Sequence, residues 1–273
     1  MVKIIDIDDK SLHIHGQWPW PRNKMANLID RLNQAGVLSI GMDIVFAEDD
    51  RTSPDEILKL WGKEDELSYL LTDIADHDEQ FAQSIYNGNI VNGYVLDNFD
   101  YNGKKCPTEK HIGYSIIGNN PCPFLRNYQT IISNIPILDE AATGAGSFNS
   151  EVDKDGIIRK VPMVFKFQNI LVPSLSIETL RVGIGAPSYT IKAIGSGGAD
   201  GELSFNEQLG IIELIMRAPI YDETGNQTDE IPIVIPTDKE GNLWIHYTED
   251  KPQRYVPAWK VLDPEQDISE LMG

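Results

Sequence analysis

The first 97 residues alternate short apolar runs with amphipathic segments of helical period, and this alternation limits the fold more than any other feature. A first apolar run, 4–7, precedes a segment whose apolar residues recur at helical spacing. These are Met25, Leu28, Ile29, Leu32 and Ala35. A near-continuous apolar strand over 37–46, of the kind buried on both faces, follows. After it come a second amphipathic helix from Asp78 to near Gly88 and a third strand over 90–96. Because this order implies right-handed crossovers and parallel strands, we predict an α/β fold with a mixed, mainly parallel central sheet flanked by helices.

The remaining segments carry other patterns. An acidic helical insertion occupies residues 50–75 of this βαβαβ core, and residues 98–128 are a loop excursion rich in Asn, Gly and Pro. Residues 129–273 form a β-rich half, with an added β-hairpin and meander. The hairpin is predicted around Asp155-Gly156, a dipeptide that tolerates the positive φ of tight turns. We expect one domain over residues 1–273.

Charge excludes several partners. The chain has 23 Lys and Arg against 42 Asp and Glu, a net charge of −19. Such a field repels phosphate backbones, so no nucleic-acid partner is expected, and it disfavours an anionic bilayer surface. The longest apolar stretch, 35–47, is too short for the roughly 20 residues of a membrane span, and the acidic start of the chain does not fit a signal peptide. We expect the chain to be a piece of a longer protein.

Acidic residues follow the first two predicted strands, and an arginine begins the helix between them. Asp8 and Asp9 follow the first strand, Asp43 lies late in the second, and Arg22 begins the helix. We predict that the two strands are parallel neighbours, so these side chains should meet at the sheet edge where α/β proteins bind ligands. No cofactor is expected beyond a divalent cation, which Asp8 and Asp43 could hold, while Arg22 and the helix N-terminus could hold an anion. The alternative is an internal network in which Arg22 pairs with an aspartate and Asp9 caps a turn.

A second acidic pattern, Glu151-x-Asp153-x-Asp155-Gly156, is similar to the first half of a calcium-binding loop. A true EF-hand loop has a bidentate Glu at its twelfth position, which is Pro162 in this chain. We therefore interpret the pattern as a hairpin tip, with Arg159 stabilising it through a carboxylate.

Two further pairs have structural and functional interpretations. His13 and His15 share one side of an extended segment, as a solvated pair or as the start of a metal site. Trp18 and Trp20 either pack beneath the first helix or form an exposed aromatic platform. We favour the solvated and the packed interpretations.

Catalytic signatures are lacking. The sequence contains no G-x-S-x-G elbow, no H-E-x-x-H motif, no P-loop and no kinase signature. We do not expect an enzyme.

Several longer motifs point to one family. The segments IDIDDKSLHIHGQWPWPR, GMDIVF, DEQFAQSI and GSFNSEVDKDGIIRKVP occur in that order, followed by PSLSIETL, GNLWIHY and YVPAWKVL. From about Lys3 to Leu262, the chain resembles the type-two CHASE domain, an extracellular sensory domain of membrane-bound signalling receptors.

The resemblance implies an extracytoplasmic, ligand-binding sensor of a transmembrane receptor that regulates a cytoplasmic adenylate or diguanylate cyclase, a histidine kinase or a serine/threonine kinase. The implied partners are a small-molecule or ionic stimulus, the membrane through flanking helices outside this sequence, and a second copy in the intact receptor. Outside the cytoplasm Cys106 and Cys122 are expected to form a disulfide, the alternative being two free thiols. Competing functions are a soluble extracytoplasmic binding protein and a metal-assisted hydrolase using Asp8, Asp9 and Asp43.

Overall fold

The computed structural model describes residues 2–63, 66, 69, 74–99, 113–195 and 210–268. In these residues the helices are α1 (Asp9–His15), α2 (Arg22–Gln34), α3 (Pro54–Trp61), α4 (His77–Tyr86), α5 (Pro136–Ala141), α6 (Leu175–Gly183) and α7 (Ala258–Leu262). The strands are β1 (Ile4–Asp6), β2 (Ile40–Met42), β3 (Ile90–Asp97), β4 (Tyr114–Ile117), β5 (Asn127–Tyr128), β6 (Thr130–Ile132), β7 (Gly144–Ser147), β8 (Lys160–Pro162), β9 (Val164–Phe167), β10 (Ile170–Pro173), β11 (Tyr189–Ala193), β12 (Ile211–Tyr221), β13 (Gln227–Pro236), β14 (Asn242–Trp244) and β15 (Tyr255–Pro257).

The central sheet is built around β3. This strand pairs parallel with β2 and β7, and antiparallel with β6. Helix α2 packs against α4, while α6 packs against β2, β3 and β7. The predicted α/β fold with a mixed, mainly parallel sheet is therefore confirmed.

Helix α2 forms where the apolar period predicts it. Met25, Leu28, Ile29 and Leu32 lie on its buried face and pack into one core with α4, β2 and α7. Strand β3 is buried along most of its length. A Cβ atom at Gly93 of β3 would lie 2.3 Å from the carbonyl oxygen of Met42, so the close approach of β2 and β3 requires glycine there.

The prediction that the first two strands are neighbours is wrong. β1 pairs parallel with β15, in a register that runs from Ile4↔Tyr255 to Asp6↔Pro257. No ladder joins β1 to β2 in the described residues. Val256 of β15 is buried in the core formed by α2, so a strand distant in sequence occupies the position beside β1. Local periodicity carries no information about such a pairing.

The second half contains hairpins, but not at the predicted turn. The turn at Asp153–Ile157 forms, whereas the strands that flank it pair elsewhere: β7 with β3, and β8 with β14. Antiparallel neighbours joined by short turns are instead β9–β10 and β12–β13. The sheet β13-β12-β11-β4 extends the second of these hairpins.

Other segments differ in part from the prediction. The acidic insertion contains α3, and much of the remaining insertion lies outside the described residues. The described part of the loop excursion, 113–128, includes β4 and β5 and so is not entirely loop. Within the described residues, no helix has the length and apolar character needed to cross a bilayer.

Candidate functional site

Four polar side chains meet where helices α2 and α4 begin. Arg22 is the first residue of α2, His77 and Asp78 are the first two of α4, and Asp50 lies between β2 and α3. Arg22, Asp50 and Asp78 are 8%, 5% and 6% exposed. We call these four residues the Asp50 cluster.

Asp50 is the hub of the cluster. Its Oδ2 accepts a hydrogen bond from the backbone N–H of Arg22 at 2.7 Å and lies 3.2 Å from Nδ1 of His77. Its Oδ1 accepts hydrogen bonds from the backbone N–H and the hydroxyl of Thr52. The first N–H groups of a helix have no partner within the helix, and a carboxylate there is favoured by the helix dipole. Asp50 thus supplies the acceptor that the start of α2 needs.

The guanidinium of Arg22 lies between an aromatic ring and a carboxylate. It is 4.2 Å from the ring centroid of Phe46, and its Nε is 3.4 Å from Oδ1 of Asp78. Its Nη2 donates to the backbone carbonyl of Glu48 at 3.3 Å. Burial lowers the pKa of Arg22, and the charges of Asp78 and Asp50 oppose that change.

The two carboxylates of the cluster have pKa values displaced in opposite directions. Burial raises the pKa of Asp78, against the hydrogen bond that Oδ2 accepts from the Asp50 N–H and the charge of Arg22. At Asp50 burial also raises the pKa, but the hydrogen bonds from Arg22 and Thr52 outweigh it, so the pKa is lowered. Asp50 is therefore the better stabilised anion.

His77 connects the cluster to α3. Its Nε2 lies 3.1 Å from the amide nitrogen of Asn23, and its backbone N–H donates to the buried hydroxyl of Ser53. Nδ1 of His77 lies 3.2 Å from the Thr52 hydroxyl as well as from the Asp50 carboxylate. The cluster thus joins the start of α3 to the starts of α2 and α4.

In the described residues, the contacts of Asp8 and Arg22 are to other residues and not to the site residues predicted from sequence. Asp8, rather than Asp9, is the cap: it precedes α1 and accepts from the backbone N–H of Ser11 at 2.7 Å and from its hydroxyl at 2.6 Å. These hydrogen bonds lower the pKa of Asp8. Asp9 and Asp43 are exposed. Arg22 forms its internal ion pair with Asp78, which is none of the three aspartates considered from the sequence.

Metal binding gains no structural support from the part of the chain that the structure describes. Within those residues, no three His, Cys, Asp or Glu side chains form a group able to hold a metal ion.

The sequence contains signals for the residues that were missed. Asp50-Arg51-Thr52-Ser53-Pro54 has the aspartate turn and the proline that often precede a helix, and Asp76 caps α4 as acidic residues commonly do. Both patterns predict helix starts. Neither indicates that the two starts converge on one arginine.

The calcium-like pattern is a closed turn. Arg159 donates to Asp153 at 2.9 Å and to both oxygens of Asp155, which lowers the pKa of Asp155 to about 2. Glu151 forms an ion pair with Arg126. Arginines thus neutralise these carboxylates, but the turn is not a hairpin tip, because β7 and β8 on either side of it pair with β3 and β14.

The remaining pairs have structural environments. Residues 9–15 are helical rather than extended, so His13 and His15 do not share a side, and the ring of His15 packs edge-on against Trp20. Trp20 is buried as expected, whereas Trp18 is 39% exposed.

Only one of the two cysteines can be described. Cys106 lies outside the described residues, and Cys122 is half-buried against the core beneath β11 and β12. The disulfide stays a prediction.

These observations define an α/β domain with a buried ionic cluster at the start of two helices. The chain belongs to the CHASE2 domain family, whose model matches residues 2–272. The family comprises extracellular sensory domains of signalling proteins. Neither a curated protein nor a solved structure matches the chain.

Proposed function

We propose that this CHASE2 domain is the extracytoplasmic sensing part of a transmembrane receptor that regulates a cytoplasmic cyclase or kinase. The match over residues 2–272 carries the proposal, because the family consists of sensory domains of signalling proteins. The domain itself binds an unidentified small molecule or ion and catalyses no reaction.

The arrangement of the first and last strands supports a receptor. β1 and β15 lie side by side, and Lys3 Nζ donates to the carbonyl of Gln253 at 3.0 Å. The segments that would continue toward membrane helices therefore belong to one structural unit. A displacement of either strand therefore moves the other through the backbone ladder that joins them.

The proposed mechanism is a population shift. A stimulus moves an equilibrium between two arrangements only by as much as its affinity for them differs. A buried ionic cluster suits this role, because losing one member leaves a buried charge without compensation. Since cyclases and kinases of this kind act as dimers, we propose that the intact receptor is a homodimer.

The full-length gene and the membrane topology of its product test the proposal. We expect hydrophobic spans on both sides of the domain, a cyclase or kinase module, and activity of an alkaline phosphatase reporter inserted in the exposed turn at Asp153–Ile157. If the gene encodes no hydrophobic spans, the receptor proposal is wrong and a soluble binding protein is the better interpretation. A metal-dependent hydrolase activity lost in Asp8→Asn and Asp43→Asn would replace it by an enzyme.

A further inference from the structure

Helix α2 holds two distant segments of the chain, one at each end. At its first residue, the N–H of Arg22 donates to Asp50. Arg31 follows nine positions later, about 14 Å along the helix at 1.5 Å per residue. The helix between them contains neither Gly nor Pro, so it lacks the usual sites of kinking.

Arg31 binds the end of α7. Its Nε donates to the carbonyl of Val261 at 2.8 Å, and its Nη2 donates to the carbonyls of Asp263 and Gln266 at 2.7 and 2.9 Å. The last carbonyl groups of a helix have no partner within the helix. A single guanidinium on α2 therefore caps α7 and fixes the turn that follows it.

Other contacts tie α7 to the start of the chain. The N–H of Trp259 donates to the buried hydroxyl of Ser11 at 3.0 Å, and Lys10 lies over the Trp259 ring. Val261 shares the apolar core with the buried face of α2. The position of α7, and of β15 directly before it, thus depends on where α2 lies.

The Asp50 end of α2 is held by groups that are costly to bury. Arg22 Nε and Asp78 Oδ1 are buried, 3.4 Å apart, and neither forms a hydrogen bond of good geometry in the described residues. A buried ionic network with incomplete hydrogen bonding gives little net stability while it specifies one arrangement. Small changes at Asp50 can therefore favour a second arrangement.

We propose that helix α2 couples the Asp50 cluster to the C-terminal segment 255–266, so that release of the Asp50 carboxylate at one end of the helix loosens the segment held by Arg31 at the other. This coupling rests on the proposed function, which gives the movement of the segment a role in signalling. In a sensor, it would connect the polar site to a segment adjacent to β1. Spatial connection alone does not demonstrate coupling, so the test must measure both ends.

Amide hydrogen exchange of the purified chain provides that measurement. Asp50→Asn conserves size but removes the charge and leaves one acceptor oxygen, whereas the Arg22 N–H and the Thr52 groups use both oxygens of the carboxylate. We expect exchange to accelerate about tenfold at 22–25 and also at 256–262, with the β11–β12 ladder unchanged. Arg31→Met should accelerate exchange at 256–262 and also at 50–53, because coupling free energies are reciprocal.

Arg254→Met is the matched control, because Arg254 directly precedes β15 and contacts Thr248 rather than α2. It should leave 50–53 unchanged. The coupling is disproved if Asp50→Asn affects only residues near 22–25 and 50–53, or if Arg31→Met leaves 50–53 unaffected. If Asp50→Asn accelerates exchange everywhere, the milder variant Thr52→Val is used instead, because it removes only one hydrogen bond to Asp50. The coupling then requires that Thr52→Val accelerates exchange at 22–25 and at 256–262, and it is disproved if only the first of these segments responds. The isolated chain suffices, so this outcome is independent of receptor topology.

Discussion

Arg22 Nε lies 3.4 Å from Asp78 Oδ1, and both side chains are more than nine-tenths buried. The pair lies between the starts of α2 and α4, with the Asp50 carboxylate beside it. Replacing one member of such a pair leaves the other as a buried charge. The stability lost in such a replacement is then much larger than the net stability that the intact pair contributes.

Arg22→Met should therefore lower the free energy of unfolding by about 3 to 5 kcal/mol. Methionine retains most of the apolar stem but leaves both Asp50 and Asp78 without the guanidinium. Urea denaturation followed by circular dichroism measures the change. Arg217→Met, which breaks an exposed ion pair with Glu230, should cost less than about 1 kcal/mol. Equal losses in the two variants would contradict the structural role assigned to Arg22.

A second prediction concerns Asp139 in α5, which accepts hydrogen bonds from the amides of Asn134 and Asn92. Burial raises its pKa more than these bonds lower it. The folded chain thus holds the proton more tightly than the unfolded chain. The free energy of unfolding therefore falls as the pH rises from the ordinary value near 3.9 through the raised pKa.

Asp139→Asn retains the acceptor oxygen and removes this titration. Its free energy of unfolding relative to the wild type should therefore increase between pH 3.5 and pH 7, as measured by urea denaturation at each pH. Asp222→Asn is the control of opposite sign. The hydrogen bond from the Thr224 hydroxyl, with others in the same turn, lowers the pKa of Asp222, so that variant should lose relative stability over the same interval. A flat difference for Asp139→Asn would show that its carboxyl does not titrate differently in the folded chain.

Local patterns predicted local structure well. The apolar period of Met25, Leu28 and Leu32 determines which face of α2 is buried, and residues 90–96 form most of β3, as predicted. Helical period and short strands are properties of neighbouring residues. The run 37–46, predicted as a strand buried on both faces, forms only β2, and Met42 is the one buried residue of that strand.

Long-range pairing was not predictable in the same way. Ile4 pairs with Tyr255, and nothing near Ile4 in sequence favours that partner over β2. Arg22 is the one member of the Asp50 cluster that the sequence singled out, because it begins the helix between the first two predicted strands. Identifying Asp78 as its partner requires knowing that α2 and α4 begin side by side, which is a tertiary property.

A third prediction concerns the bidentate ion pair between Arg159 and Asp155. The bidentate hydrogen bonds from Arg159, together with the Ile157 N–H, lower the pKa of Asp155 to about 2. In Arg159→Gln the pKa of Asp155 should rise most of the way toward the ordinary value near 3.9. Carboxyl chemical shifts followed by NMR between pH 1.5 and pH 6 measure it. Lys154→Gln, which removes a neighbouring charge that is not part of this ion pair, should leave the pKa of Asp155 near 2. A pKa that stays near 2 in Arg159→Gln would assign the stabilisation to the turn backbone instead.

The last prediction concerns the pairing of Cys106 and Cys122. If the domain lies outside the cytoplasm, these residues are expected to form a disulfide, which would stabilise the fold by about 3 kcal/mol through loop-closure entropy. Protein prepared from an oxidising compartment should react with no thiol reagent under denaturing, non-reducing conditions, and should release two thiols after reduction. Cys122→Ser should then expose one reactive thiol without reduction, and should lower the urea midpoint to that of the reduced wild type. Two reactive thiols in the unreduced wild-type protein would exclude the bond, because a disulfide consumes both sulfur atoms.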